Sequence, residues 1–217
     1  MITTAKIVAY DGDTLLIRPT VPVDREMIQK QVDTVEIRLT DGREISADQR
    51  RKVFALVRDI AVWSGHEPEY IRKYTTFNHC VLQGIEAFSL SDCDMSTARE
   101  YISYLIDFCF THNVPTRDTL LNQTDDIGRY LYSCIEHRRC AVCNAKADIH
   151  HVNAVGSGRD RRQISHIGLE AMALCRQHHT EAHTMGDKAF CDKHHIYGIK
   201  LDAYLCEKLN LRKDERV

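Results

Sequence analysis

The chain reads as an α+β protein, with a β-hairpin and helical module first and a small zinc-stabilised finger after it. Three observations carry that reading. Two β-rich runs flank Asp11-Gly12-Asp13 near the amino terminus. Apolar residues then recur at helical spacing from Val53 to Cys109. Last, nine of the twelve histidines fall between His137 and His195, around a Cys140-Ala-Val-Cys143 knuckle.

Taken in order, residues 6–10 and 14–18 form the hairpin. Over 32–39, Val35, Ile37 and Leu39 alternate with Thr34, Glu36 and Arg38, as a half-buried strand requires. Pro22 opens a short helix over 23–30, and Asp41-Gly42-Arg43 turns the chain after the strand. Ser46 caps the next helix, with Gln49 at the capping-box position, Val53, Leu56, Val57 and Ile60 as the buried stripe, and Gly65 as the stop. A short helix follows over 67–74. Another spans 95–109, with Ser96 as cap and Ile102, Leu105, Ile106 and Cys109 facing inward. A helix over 125–136 leads into the knuckle. The compositional boundary near His137 divides the chain into 1–136, 137–205 and a tail, 206–217.

The 217 residues are 43% hydrophobic and 28% charged, enough to bury a core, and the formal net charge of -2 gives no global attraction for polyanions. Any nucleic-acid contact must come from a local patch, and the balance does turn basic from Arg138 to Arg162. No window approaches the roughly 20 apolar residues of a membrane span. The opening Met-Ile-Thr-Thr-Ala-Lys lacks the apolar run of an export signal, so a reducing cytoplasm is expected. Of the nine cysteines, Cys80, Cys93, Cys109, Cys134, Cys191 and Cys206 read as small buried hydrophobes.

The remaining cysteines carry chemistry. Cys140 and Cys143 form one short-spaced pair and Cys175 and His178 another, the pattern of a closed tetrahedral structural zinc site. Four histidines are left over. His179 and His183 stand four apart on an expected helix and share a face, while His178 points about a quarter turn away. His150 and His151 are neighbours on an expected strand, so their rings face opposite ways. One can hold an ion while the other works as a base. His194 and His195 read as surface residues of a later strand. Arg159, Arg161 and Arg162 lie in a Gly-rich loop, where guanidinium groups can grip phosphates.

The His-His pair, the Cys-x-x-His and the His-x-x-x-His that follows it resemble the HNH endonucleases with the ββα-metal finger, over roughly 140–195. The likeness is to HNH nucleases of bacteriophages and prophages. It implies that His151 is the general base, that His150, His179 and His183 hold a catalytic divalent ion (Mg2+, Mn2+, Ni2+ or Zn2+), and that Cys140, Cys143, Cys175 and His178 hold structural Zn2+. The family's middle asparagine, which orients the base, has no counterpart before Leu174-Cys175; His166, Glu170 or backbone contacts are expected in that role. The amino-terminal half resembles, by spacing, the NinB/Orf family of phage recombination proteins, which implies a small α+β DNA-binding module able to form a homodimer. There Trp63, Tyr70 and Tyr74 serve either base stacking or packing.

Hydrolysis of a phosphodiester needs a water, a base near neutral pKa and a cation, and the histidine set meets that need. The expected function is a metal-dependent DNA endonuclease acting on duplex, single-stranded or recombination DNA. The alternative is a non-catalytic, zinc-stabilised DNA-binding recombination mediator. A zinc hydrolase for another substrate would need a His-Glu-x-x-His arrangement, which the chain lacks.

Overall fold

The computed structural model describes residues 5–19, 42–152 and 165–213. Two compact units emerge, Met1–Leu39 and Thr40–Val217. In the first, β1 (Ala5–Tyr10) pairs antiparallel with β2 (Leu15–Pro19), with a register shift between Ile7 and Ala9. The turn is held by Asp11, whose carboxylate accepts from the backbone N–H groups of Asp13 and Thr14. The helix expected over 23–30 and the strand over 32–39 lie outside the described residues.

The second unit starts as its periodicity predicts. Helix α1 (Ala47–Ser64) has the full capping box, with the Ser46 hydroxyl accepting from Gln49 N–H and the Gln49 side chain accepting from Ser46 N–H. Val53, Leu56, Val57 and Ile60 are buried, and Gly65 ends the helix in the left-handed region at φ 72°. Helix α2 (Pro68–Gln83) is twice as long as expected. The β-branched Thr75 does not stop it, because its hydroxyl bonds back to the Ile71 carbonyl and across to Tyr101. Helix α3 (Met95–His112) is capped by Asp94 and not by Ser96: the Asp94 carboxylate accepts from the N–H groups of both Ser96 and Thr97. Its expected stripe, Ile102 to Cys109, is buried.

A one-turn helix, α4 (Leu120–Gln123), precedes α5 (Ile127–Glu136), which Asp126 caps. Beyond them lie β3 (Asp148–His151), β4 (Glu170–Leu174), α6 (Arg176–Met185), α7 (Asp187–His194), β5 (Ile199–Lys200) and α8 (Ala203–Lys208). The three strands form an antiparallel sheet in the order β3-β4-β5, with His150 opposite Met172 and His151 opposite Ala171. β4 is the central strand, and its Ala171, Met172, Ala173 and Leu174 are all buried.

One apolar cluster runs from Ile45 to Leu209 and includes residues of α1, α3, α5, β4 and α8. Packing therefore continues across position 136, and Leu205, Cys206 and Leu209 belong to the core. Residue 137 precedes the stretch where the candidate metal-ligand residues begin. Trp63, Tyr70 and Tyr74 are exposed and contribute little to the core.

Candidate metal centre

The knuckle is built by its neighbours. Asn144 adopts a left-handed φ of 60° directly after Cys143. Its amide donates to the Tyr130 hydroxyl at 2.7 Å, its carbonyl accepts from Leu120 N–H at 2.7 Å, and Tyr130 donates to the Ala141 carbonyl at 2.9 Å. Backbone bonds from Cys140 N–H to Ala145 O and from Ala141 N–H to Ala173 O close the turn against β4. β4 then delivers Cys175 as the N-cap of α6, and His178 follows in the first turn.

The four ligand atoms of Cys140, Cys143, Cys175 and His178 lie within 4.8 Å of one another. His178 Nδ1 is 3.3 Å from Cys140 Sγ and 3.2 Å from Cys175 Sγ, and Cys143 Sγ is 3.7 Å from Cys175 Sγ. Ligands on a tetrahedral zinc, at about 2.0–2.3 Å, stand about 3.3–3.8 Å from each other. The set fits the ion. Burial would raise the Cys175 thiol, but N–H groups of the helix start, His178 and Gln177, help bring it below the usual range. Burial pushes Cys143 up to about 12, a cost that a bound cation would reverse. Burial, with the nearby His194, also lowers His178, which keeps its ring neutral and able to ligate.

Next to it, His150, His179 and His183 form a second group with ligand atoms within 4.8 Å. His150 is buried on β3, while His179 is half-buried and His183 exposed on α6, so this group opens to solvent. The His150 ring meets those of His179 and His183 at 4.8 and 5.0 Å, both edge-on. Burial, and the repulsion a second imidazolium would feel from His150 and His183, depress His179. Three imidazoles with one side open fit a divalent ion that still accepts substrate. His178 and His179, adjacent in sequence, thus belong to separate groups.

His151 points to the other face of β3, where its Nε2 lies 3.0 Å from His166 Nδ1. His166 is 5% exposed. Its backbone N–H donates to Arg212 O and the neighbouring Ser165 hydroxyl to Lys213 O, so the carboxy-terminal segment pins the loop that carries it. Glu170 is not brought to this pair. It precedes Ala171, the cross-strand partner of His151, and alternation sends its side chain to the opposite face.

Arg159, Arg161 and Arg162 lie outside the described residues. Arg138 and Arg139, basic residues of the same stretch, are engaged with Leu209 O and the Asn113 side chain. His194 and His195 are not on a strand: they end α7, with His195 left-handed at φ 54°. His194 reaches back to Glu181 of α6 at 3.2 Å. One residue escapes sequence reasoning altogether. Asp187 Oδ1 sits 2.7 Å from His150 Nε2, yet Gly186-Asp187 at a helix start reads in sequence only as a turn.

Among the described residues, no helix is long and apolar enough to cross a membrane. Neither curated proteins nor solved structures gave a significant match. The family model described as "Putative HNHc nuclease" does match, over residues 20–212, spanning the helical half as well as the metal centre. The chain belongs to that family.

Proposed function

We propose that this protein is a metal-dependent HNH DNA endonuclease. The observation that carries the proposal is the separation of the ligand-type residues into a closed group of three cysteines and one histidine and an open group of three histidines. A further histidine pair, His151–His166, lies on the opposite face of β3. The chain order β3, β4, α6 is the order expected of a ββα-metal finger.

His151 acts as the base. The 3.0 Å contact between His151 Nε2 and His166 Nδ1 orients the ring, and a neutral His151 imidazole would take the proton of an attacking water. The water oxygen bonds to phosphorus as the bond from phosphorus to the leaving oxygen breaks. A divalent ion held by His150, His179 and His183 would stabilise the charge on the phosphate and the leaving oxygen. His166 supplies the orienting acceptor that the family's asparagine provides, so the missing asparagine does not by itself favour a non-catalytic mediator. The group of Cys140, Cys143, Cys175 and His178, with zinc bound, keeps α6 against the sheet and so fixes the spacing of the catalytic histidines.

The finer reading includes Arg159, Arg161 and Arg162 as phosphate contacts, duplex or single-stranded DNA as substrate, and phage recombination as the setting. It is supported by the basic loop and the NinB/Orf-like spacing. A homodimer is supported by the exposed Tyr70, Tyr74, Phe77 and Val81, which share one face of α2 at spacings of 4, 3 and 4.

A plasmid-nicking assay with magnesium, manganese or nickel tests the proposal. The wild type should nick, and His151→Ala should be slower by about 10²–10⁴-fold, the usual contribution of a positioned base. If the two are equally inert with all three ions, the enzyme reading fails.

A further inference from the structure

We infer that Asp187 is a positioning residue for the open metal site: its carboxylate fixes the His150 ring so that Nδ1 is the nitrogen presented to the ion. The inference rests on the reading of His150, His179 and His183 as one metal site.

The geometry is specific. His150 is 3% exposed, and an imidazole this buried needs a partner for its N–H. Asp187 Oδ1 lies 2.7 Å from Nε2, within range of a charge-assisted hydrogen bond. A neutral ring that donates from Nε2 has its lone pair on Nδ1. Both nitrogens are then accounted for, one by Asp187 and one by the ion. The carboxylate oxygens of Asp187 are not part of the group whose ligand atoms cluster within 4.8 Å, so the residue stands behind a ligand instead of among the ligands.

The chain path explains how Asp187 gets there. Gly186, at φ 85° and ψ 144°, ends α6 and begins α7 in a single residue. That backbone conformation suits glycine. The helix that carries His179 and His183 is therefore followed at once by the carboxylate that orients their partner on β3. A carboxylate behind a metal-binding histidine fixes the tautomer and ring orientation and raises ligand basicity. The first turn of α7 also favours a negative charge at this position.

Titration of nickel into full-length, zinc-retaining protein by calorimetry tests this, using Asp187→Ala and Asp187→Asn. The alanine variant should bind nickel about 10–100-fold more weakly than wild type, the usual effect of losing such a partner, with one zinc per chain retained. The asparagine variant, whose amide oxygen can accept the same bond, should recover most of the loss. Wild-type affinity in Asp187→Ala overturns the inference alone. Equal weakening in both variants would make Asp187 a ligand and overturn its positioning role. Loss of the zinc in Asp187→Ala would make it a residue of the fold, with the same consequence. Absence of nickel binding by the wild type itself would sink the reading of the site, and the inference with it.

Discussion

Replacing His166 by alanine removes a side chain that links His151, the proposed base, to a loop held by the carboxy-terminal segment. The bond lost is 3.0 Å long, between His151 Nε2 and His166 Nδ1, and His166 is 5% exposed. Leaving a partly buried N–H without its partner costs about 1–3 kcal/mol. Applied to the orientation of the base, that is about 5–150-fold in kcat, since each 1.4 kcal/mol is about tenfold. The loss should be smaller than that of His151→Ala, which removes the base itself. His166→Asn restores an acceptor of the kind the family uses, and should return kcat to within a few-fold of wild type. The assay is plasmid nicking at saturating DNA and metal, with zinc content and nickel affinity measured alongside. A His166→Ala enzyme with wild-type kcat, or a His166→Asn enzyme as slow as the alanine variant, would refute the reasoning.

Other perturbations reach the same site from a distance. Deleting residues 211–217 removes the Arg212 and Lys213 carbonyls that hold His166 and Ser165; kcat should fall about tenfold with zinc retained, and unchanged kcat would contradict the clamp. Gly198→Ala places a Cβ 2.8 Å from Val152 Cγ2 and 3.1 Å from Glu170 Cβ, an overpacking worth about 1–3 kcal/mol. Thermal melting should drop by roughly 2–10 °C, and an unshifted melt would show that the strand ends yield freely. Burial raises the Glu136 carboxyl, but bonds from Lys208 at 2.6 Å and Tyr204 at 2.7 Å more than offset it and hold its pKa below the ordinary 4.5. Its folded pKa is depressed, so its stabilisation is present above pH 4.5 and is lost as pH falls through the folded value. Lys208→Met should flatten that acid loss in denaturant titrations between about pH 5 and 3, whereas parallel pH profiles for variant and wild type would contradict the assignment.

Much of this architecture is written locally and so is legible in the sequence. The capping box at Ser46 and Gln49, the stripe from Val53 to Ile60 and the Gly65 stop are set by residues within a few turns of one another. The division of His178 from His179 follows from helix geometry alone, and that of His150 from His151 from strand alternation. What escaped depends on partners far along the chain. Asp94 outcompeted Ser96 as a cap because its carboxylate reaches two N–H groups at once. The helix expected over 67–74 runs on through Thr75, whose hydroxyl finds a partner in Tyr101, 26 residues away. Glu170 and His166 could not be told apart until the register turned Glu170 away from His151 and the loop before β4 brought His166 to it, and Asp187 meets His150 across 37 residues.

The central claim is that adjacent histidines serve different ions. Elemental analysis of purified protein, before and after dialysis against a weak chelator, tests it most directly in wild type and His179→Ala. Wild type should hold one zinc that survives dialysis and bind a second, exchangeable divalent ion. His179→Ala should keep the zinc and lose the second ion. A variant that loses both metals together, or a wild type with no tightly held zinc, would contradict the two-site account.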